Sequence, residues 1–494
     1  MKSCIAVMDI GTSQLKASLI DERGKAIQTS TCVWGYQHEQ DDLQALFFRP
    51  EDLVEKLSEI TCIFTGEKIE ATIVSAQRLG IVFLDANNNA IYGIPNIDRR
   101  ASMSMDYQND SFERYYQITG RWVGAQYVPG RMKWLKSRRP ELLKKTKKIV
   151  SLSDWLSFYL CGVLASDTIT AGETGCFDIS RQKWSDEIIE EQELEDTLFC
   201  DVVRPDHVLG RTTSEKLGIP KGVPVCVGSS DTSFGIVGAK AISVEDMVIV
   251  AGSSAPINTL VSKPLLDSKQ RTVTNPFFME GIWSVEANAM MTGLAFTWGA
   301  SLLFGKAGKQ EYDELQQLGL IAFKKGFSQI VSFPGVGIAD SRHGNLRPTS
   351  YVIGRTRDLM SGNFDRPAFA ASLFESVVFS ILGNVELLEQ VANIVPNKSL
   401  AIGGGETKFA LLLDMLATAS GRVLTVTNDV DLTSLGAAMV AFTDIKWFGS
   451  LQEACSKMQN TRQVQASGNL KGWDYAQHKD AWMKAFFSMY QPKG

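Results

Sequence analysis

The chain has 494 residues, more than one hydrophobic core usually organises, because single cores stop growing near roughly 250–300 residues. Its 44% hydrophobic and 21% charged residues are those of a globular protein and exclude intrinsic disorder. A net charge of −5 gives no electrostatic reason to bind nucleic acid or an anionic membrane.

The first predicted element is a strand over Ile5–Ile10, followed by a tight turn at Gly11-Thr12-Ser13 and a second strand over about Lys16–Ile20. The strand carries Asp9, and no secretory h-region or cleavage site is visible. The eight cysteines form no CxxC pair, so they read as reduced thiols of a cytoplasmic protein. His38, His207, His343 and His478 lie far apart and match no zinc spacing. In a turn of this kind glycine lets backbone N–H groups approach a phosphate, and the hydroxyls add short hydrogen bonds. Asp9 suits hydrated Mg²⁺, and Lys16 suits phosphate charge. An ordinary hairpin leaves the same signature.

Helical periodicity follows over Glu51–Ile60 and Glu141–Leu160. The lysines and arginines between Lys133 and Lys148 are interrupted by Trp134, Leu135, Leu142 and Leu143, so they predict a solvated helix face over buried leucines. Val223–Val227 reads as a strand, leading into Gly228-Ser229-Ser230-Asp231. Such a turn can hold a carboxylate rigidly at a cleft, but Asp is also a good helix N-cap. Met247–Val250, the turn Ala251-Gly252-Ser253-Ser254 and a strand over Ala255–Leu260 repeat the pattern of the N-terminus. This weak internal repeat predicts two domains on one plan, 1–240 and 241–494. Ala287–Gly305 carries no charge and approaches bilayer length, yet its Asn288, Thr292, Thr297 and Ser301 fit a buried helix better. Pro367–Asn393 has helical periodicity, and Ala401-Ile402 runs into Gly403-Gly404-Gly405 before a helix over Lys408–Ser420. The alternation of strands and helices predicts an α/β fold.

In this order the turns resemble the FGGY carbohydrate kinases, of the actin/hexokinase/Hsp70-like ATPase superfamily. The first phosphate motif looks like Asp9–Ser13, and the catalytic GxxD pattern like Gly228–Asp231, with Gly238 at the expected distance. The second phosphate motif looks like Ala251–Ser254, with Ser253 where Thr is usual, and the adenosine motif looks like Gly403–Gly405. Leu435-Gly436-Ala437-Ala438, Ser153–Leu156, Thr174–Asp178 and Leu373–Val377 match further family segments. The resemblance implies two RNase H-like domains around a central cleft. It also implies ATP at Gly11, Thr12, Ser13, Lys16, Gly252, Ser253, Gly403, Gly404 and Gly405, with Mg²⁺ at Asp9 and Asp231. A sugar-like substrate lies in the first domain, and the residue matching Asp231 takes the proton of the attacking hydroxyl. A homodimer is the assembly of many relatives.

Substrate contacts are expected at Gln77 and Arg78, within Ser75–Gly80, and at Asp98 and Arg100, which match a WxDxRA pattern over Asn96–Ala101. Leu79 stands where glycerol kinases carry Glu, and Arg78-Leu79 where xylulokinases carry Met-His, so neither substrate is expected. Both segments look somewhat like those of autoinducer-2 kinases. Arg78 also suits an acidic sugar, or an ion pair with Asp98 or another carboxylate. The family's Gly-x-Arg-x-Pro segment survives only as Phe333–His343, and Glu406-Thr407-Lys408 departs from the usual spacing. The readings weighed against a kinase are an inactive actin-like nucleotide-binding regulator and an Hsp70-like chaperone ATPase. Retention of Asp9 and Asp231 disfavours the first, and the short segment after about residue 450 disfavours the second.

Overall fold

The computed structural model describes residues 3–101, 111–122, 124–325, 330–338, 350–353, 365–395, 399–427, 431–458, 461–470 and 472–489. Part of the Phe333–His343 segment, from Ala339 to His343, lies outside them. Two seven-stranded mixed sheets organise the chain. In the first, Cys4–Ile10 pairs antiparallel with Gln14–Asp21 and parallel with Ile69–Ala76. Ala26–Val33 extends the hairpin side, and Pro224–Cys226 extends the parallel side.

The second sheet repeats that arrangement. Met247–Val250 pairs antiparallel with Pro256–Val261 and parallel with Ser399–Gly403. Trp283–Asn288 extends the hairpin side, and Val423–Thr427 the parallel side. Each sheet is therefore RNase H-like, with a hairpin whose first strand also receives a parallel crossover. The Gly-hydroxyl turns at residues 11–13 and 252–254 occupy equivalent hairpin corners, which is the physical content of the weak repeat.

Buried residues from both sheets meet in a shared core. Val7 and Ile73 of the first sheet and Val248 of the second pack with Phe234, Leu435 and Met439. The last three sit on the helices Asp231–Gly238 and Leu432–Asp444. These helices cross in backbone contact. A Cβ on Gly238 would lie 2.0 Å from the Leu432 carbonyl oxygen, and one on Gly436 would lie 1.9 Å from that of Phe234. No residue but glycine fits either position, so the crossing fixes the two halves against each other where their motifs meet.

Some predicted elements change. Ala287–Gly305 is not one helix: the strand Trp283–Asn288 ends inside it, and the helix is Thr292–Phe304. Glu141–Leu160 divides into the helix Pro140–Lys145, the strand Lys148–Ser151 and the helix Leu152–Cys161, because Ile149 and Val150 are β-branched and pair with Val82 and Phe83. The basic stretch lies on Val128–Arg138 and Pro140–Lys145, with Trp134, Leu135 and Leu142 buried beneath it. Arg366–Ala392 is long and apolar enough to cross a membrane, and its apolar stretch is wholly buried here. The C-terminal helix Tyr475–Met489 docks through buried Trp482, which stacks on Phe486 and packs on Phe333.

Candidate active site

The hairpin register sets the first half of the site. Asp9 and Lys16 are direct cross-strand partners at the open end of the first sheet. Ser75, from the parallel neighbour, donates its hydroxyl to Asp9 Oδ1 at 2.8 Å. The Lys16 ammonium lies 2.6 Å from Asp431 Oδ1 and 4.0 Å from Asp9 Oδ2. Asp431 is the N-cap of Leu432–Asp444 and accepts from the Ser434 N–H. Lys16 therefore links the first hairpin to the interdomain helix. Burial, with Asp431 and Asp231 nearby, pushes the Asp9 carboxyl well above its ordinary range, against Lys16. Burial also raises Asp431, but Lys16 outweighs it and holds that carboxyl low.

The turn itself is braced from outside. Trp34 donates its indole N–H to the Gly11 carbonyl at 2.9 Å, and Tyr36 donates its hydroxyl to the Thr12 carbonyl. Asn96 donates its amide to the Thr12 hydroxyl at 2.8 Å. With its carbonyls engaged, the turn keeps a fixed shape, as pre-organised phosphate recognition requires.

Asp231 enters from the other side. Ser229–Ser230 pairs with Ser75 and Ala76, which places the next residue at the head of Asp231–Gly238. Ser230, not Asp231, is the N-cap, so the capping alternative falls away. The Asp231 carboxylate accepts from the Thr232 N–H at 2.7 Å. Burial raises its pKa, and Arg78 offsets part of that rise. A carboxylate shifted upward is a stronger base than an ordinary one.

In the second half, Gly252, Ser253 and Gly403–Gly405 come together because their strands are parallel neighbours. Ala251 donates its N–H to the Gly403 carbonyl at 2.7 Å. Gly404 has a φ of +111°, and a Cβ there would meet the Ala251 carbonyl oxygen at 2.3 Å. A Cβ on Gly405 would meet nothing within 4 Å. One glycine thus permits the close approach, and the other leaves an open face on which a flat ring can lie. Glu406 follows, fully buried, and accepts from the Thr292 hydroxyl at 2.5 Å. Burial pushes its carboxyl up to about 8.

The substrate segment divides in two. Gln77 is buried and braces the turn, donating to the Tyr36 oxygen at 3.1 Å and accepting from the Asn96 N–H at 3.1 Å. Arg78 reaches across the cleft to Glu286 Oε2 at 2.6 Å, so its ion-pair partner is not Asp98. Glu173 shares this wall, and burial pushes it up to about 7 against the pull of Arg78 and Arg121. Two cavities flank Asp231. One of about 20 Å³ is lined by Gln77, Leu79, Arg131 and Glu173, and one of about 10 Å³ by Arg78, Thr232 and Glu286. Each holds a water-sized guest, and of these two only the second has residues of both halves in its wall.

Asp98 and Arg100 correct the expectation of substrate contacts. Both side chains are 0% exposed and face each other at 2.9 Å. Asp98 also accepts from the Leu46 N–H, and Arg100 donates to the Leu46 carbonyl. The pair is spent on tying its loop to the strand Asp42–Phe47. Several residues of the site went unread in the sequence. Asp431 had a local signal, an Asp four residues before the start of Leu435-Gly436-Ala437. Asn96 occupied the first position of the recognised pattern. Glu173 and Glu286 had none, because only tertiary folding brings them to Arg78.

The chain matches the FGGY family of carbohydrate kinases twice, with the N-terminal domain over residues 4–238 and the C-terminal domain over 247–445. The sugar kinase YoaC of Bacillus subtilis (strain 168) is 26% identical over 441 residues, 88% of each chain. The autoinducer-2 kinase of Escherichia coli (strain K12) is 23% identical over 516 aligned positions, covering 98% of this chain and 94% of that one. Among solved structures, a ligand-bound xylulose kinase from Lactobacillus acidophilus superposes with a TM-score of 0.85 at 20% identity, covering 99% of both chains. A gluconate kinase from Lactobacillus acidophilus also gives 0.85 at 20% identity, over 100% of this chain and 99% of that one. These structures share the two-domain fold, and the paired domain matches carry the assignment: the chain belongs to the FGGY family of carbohydrate kinases and is a carbohydrate kinase.

Proposed function

We propose that the protein transfers the terminal phosphoryl group of ATP to a hydroxyl of a small sugar, sugar acid or polyol, with Asp231 as the general base. The observation that carries this reading is the position of Asp231, at the head of a helix in the shared core, within the field of both Asp9 and Arg78. Residues 1–240 then form the domain that holds the sugar and the base, and 241–494 the domain that holds ATP. Gly11, Thr12, Ser13 and Lys16 face the phosphates from one side, and Gly252 and Ser253 from the other. Gly403–Gly405 offer a flat seat for the adenosine. Lys16 exchanges Asp431 for phosphate oxygens when the nucleotide enters.

The donor set fits magnesium. Among the described residues no three side chains converge to chelate a metal alone. Mg²⁺ needs only one or two carboxylates and keeps its waters, and Asp9 and Asp231 repel each other with negative charge that a cation offsets. Bound there, the ion neutralises charge on the transferring group. Asp231 removes the hydroxyl proton as the new oxygen–phosphorus bond forms, and Gln77 and Arg78, the latter held by Glu286, form the wall against which the substrate's remaining polar groups lie. Closure of the two halves excludes water. A coupled ADP-release assay over ketoses, polyols and sugar acids tests the reading. ADP release dependent on one of these compounds is expected, and a complete lack of such dependence across all three classes sinks it.

A further inference from the structure

We infer that Glu286, from the second domain, is a specificity-determining residue that commits Arg78 and makes the enzyme select an uncharged polyhydroxy or keto substrate over an anionic one. This rests on the kinase reading and narrows it. The inventory of hydrogen-bonding groups around Asp231 decides the point. Arg78 reaches towards the cleft, and Glu286 Oε2 already holds its Nη1 at 2.6 Å. Arg131, in the wall of the neighbouring cavity, donates to the Leu79 and Pro95 carbonyls and has its Nε 3.7 Å from Asp98 Oδ1. Arg121 is buried, with Nε on the Gly172 carbonyl at 2.6 Å and Nη2 on Asn275 Oδ1 at 2.9 Å. Against these stand three carboxylates, Asp231, Glu173 and Glu286.

A substrate carboxylate or phosphate asks for a guanidinium that can present two N–H groups to it. To obtain Arg78 it must expel Glu286, which then sits in a nearly buried site without its partner. It must also approach Asp231, and Glu173 where that is ionised, as a like charge. A hydroxyl-bearing substrate meets none of this. Its O–H groups donate to the remaining lone pairs of these carboxylates, of which Glu286 Oε1 already accepts from Asn288 and Asp231 Oδ1 from Thr232, and the Arg78–Glu286 pair stays intact as a wall across both domains. The site is thus rich in acceptors and poor in uncommitted donors, which is the complement of a neutral polyol.

The test compares matched uncharged and acidic compounds: xylulose and xylitol against xylonate, and sorbitol against gluconate, in the full-length wild type and in Glu286→Gln. The uncharged members are expected to exceed their acids in kcat/KM by at least about hundredfold in the wild type. Glu286→Gln releases Arg78, so the ratio falls by about tenfold or more through a gain on the acid. A thermal-shift series without ATP reads binding alone, and the uncharged member is expected to give the larger shift. An acid as the better wild-type substrate, or an unchanged ratio in a folded Glu286→Gln protein, overturns the inference while leaving the kinase reading intact. If no compound is turned over, the kinase reading fails, and the thermal shifts decide the preference for charge. Absence of both turnover and binding in both classes overturns the two together.

Discussion

Two arginine–carboxylate pairs lie within one stretch of chain and do different work. Arg100 and Asp98 are two residues apart, belong to one domain and are sealed, with both side chains 0% exposed. Arg78 and Glu286 are 208 residues apart and join the two halves, with side chains 24% and 10% exposed. The chemistry of the pairs is the same, and what differs is which bodies they connect. A pair closed within one body can only stabilise it. A pair that spans the two halves also ties one to the other, and this one does so in the wall of a cavity beside Asp231.

The largest effect that separates these roles is expected from Asp98→Ala. It strips Arg100 and Arg131 of their buried counter-charge, and breaking such a pair costs about 3–5 kcal/mol. Urea unfolding measures it, and a loss below about 1 kcal/mol would place Asp98 among ordinary surface charges. Arg78→Ala is expected to leave the fold largely intact and raise KM for the sugar by about tenfold or more, with a smaller change in KM for ATP. An equal rise in both constants would make Arg78 as structural as Arg100.

The smallest effect concerns a third pair, which tests whether a sealed contact within one domain can still titrate. His478 Nδ1 lies 2.6 Å from buried Glu375 and holds the C-terminal helix. Burial opposes protonation, but Glu375 outweighs it and raises the His478 pKa above 6.5. A raised pKa contributes stability that is complete below the unfolded value and lost as pH climbs through the folded one. Hydrogen-exchange protection over Tyr475–Met489 is therefore expected to fall as the pH is raised from about 6.5 upward. Constant protection across that range would mean that the pair carries no helix docking.

The legible part of the site was the part written in local backbone. Gly11-Thr12-Ser13, Gly252-Ser253 and Gly403–Gly405 are turns at strand ends, and their conformational demands follow from residue type alone. Asp9 and Asp231 were found because each follows a β-branched run into such a turn. The two-sheet plan was legible for the same reason, since both hairpins have the same punctuation. The substrate wall was not. Glu286 reads as one residue in an alternating strand, and Glu173 as the end of a short helix. Folding within the first half brings Glu173 to Arg78, and the meeting of the two halves brings Glu286. Asp98 and Arg100 misled in the opposite sense, because a matching pattern does not tell whether its charges face the cleft or each other. The Asn288–Thr292 break within a charge-free run was hidden because apolar strand and apolar helix look alike over short windows.

The central claim is that Asp231 does chemistry rather than hold structure. Sugar-dependent ADP release by Asp231→Asn, at matched folded concentration and saturating ATP, tests it most directly. The substitution keeps the shape of the side chain and removes the base, so turnover is expected to fall by about 10²–10⁴-fold while the unfolding temperature and ATP affinity stay close to wild type. Turnover within about tenfold of the wild type would contradict the account and remove Asp231 from the mechanism.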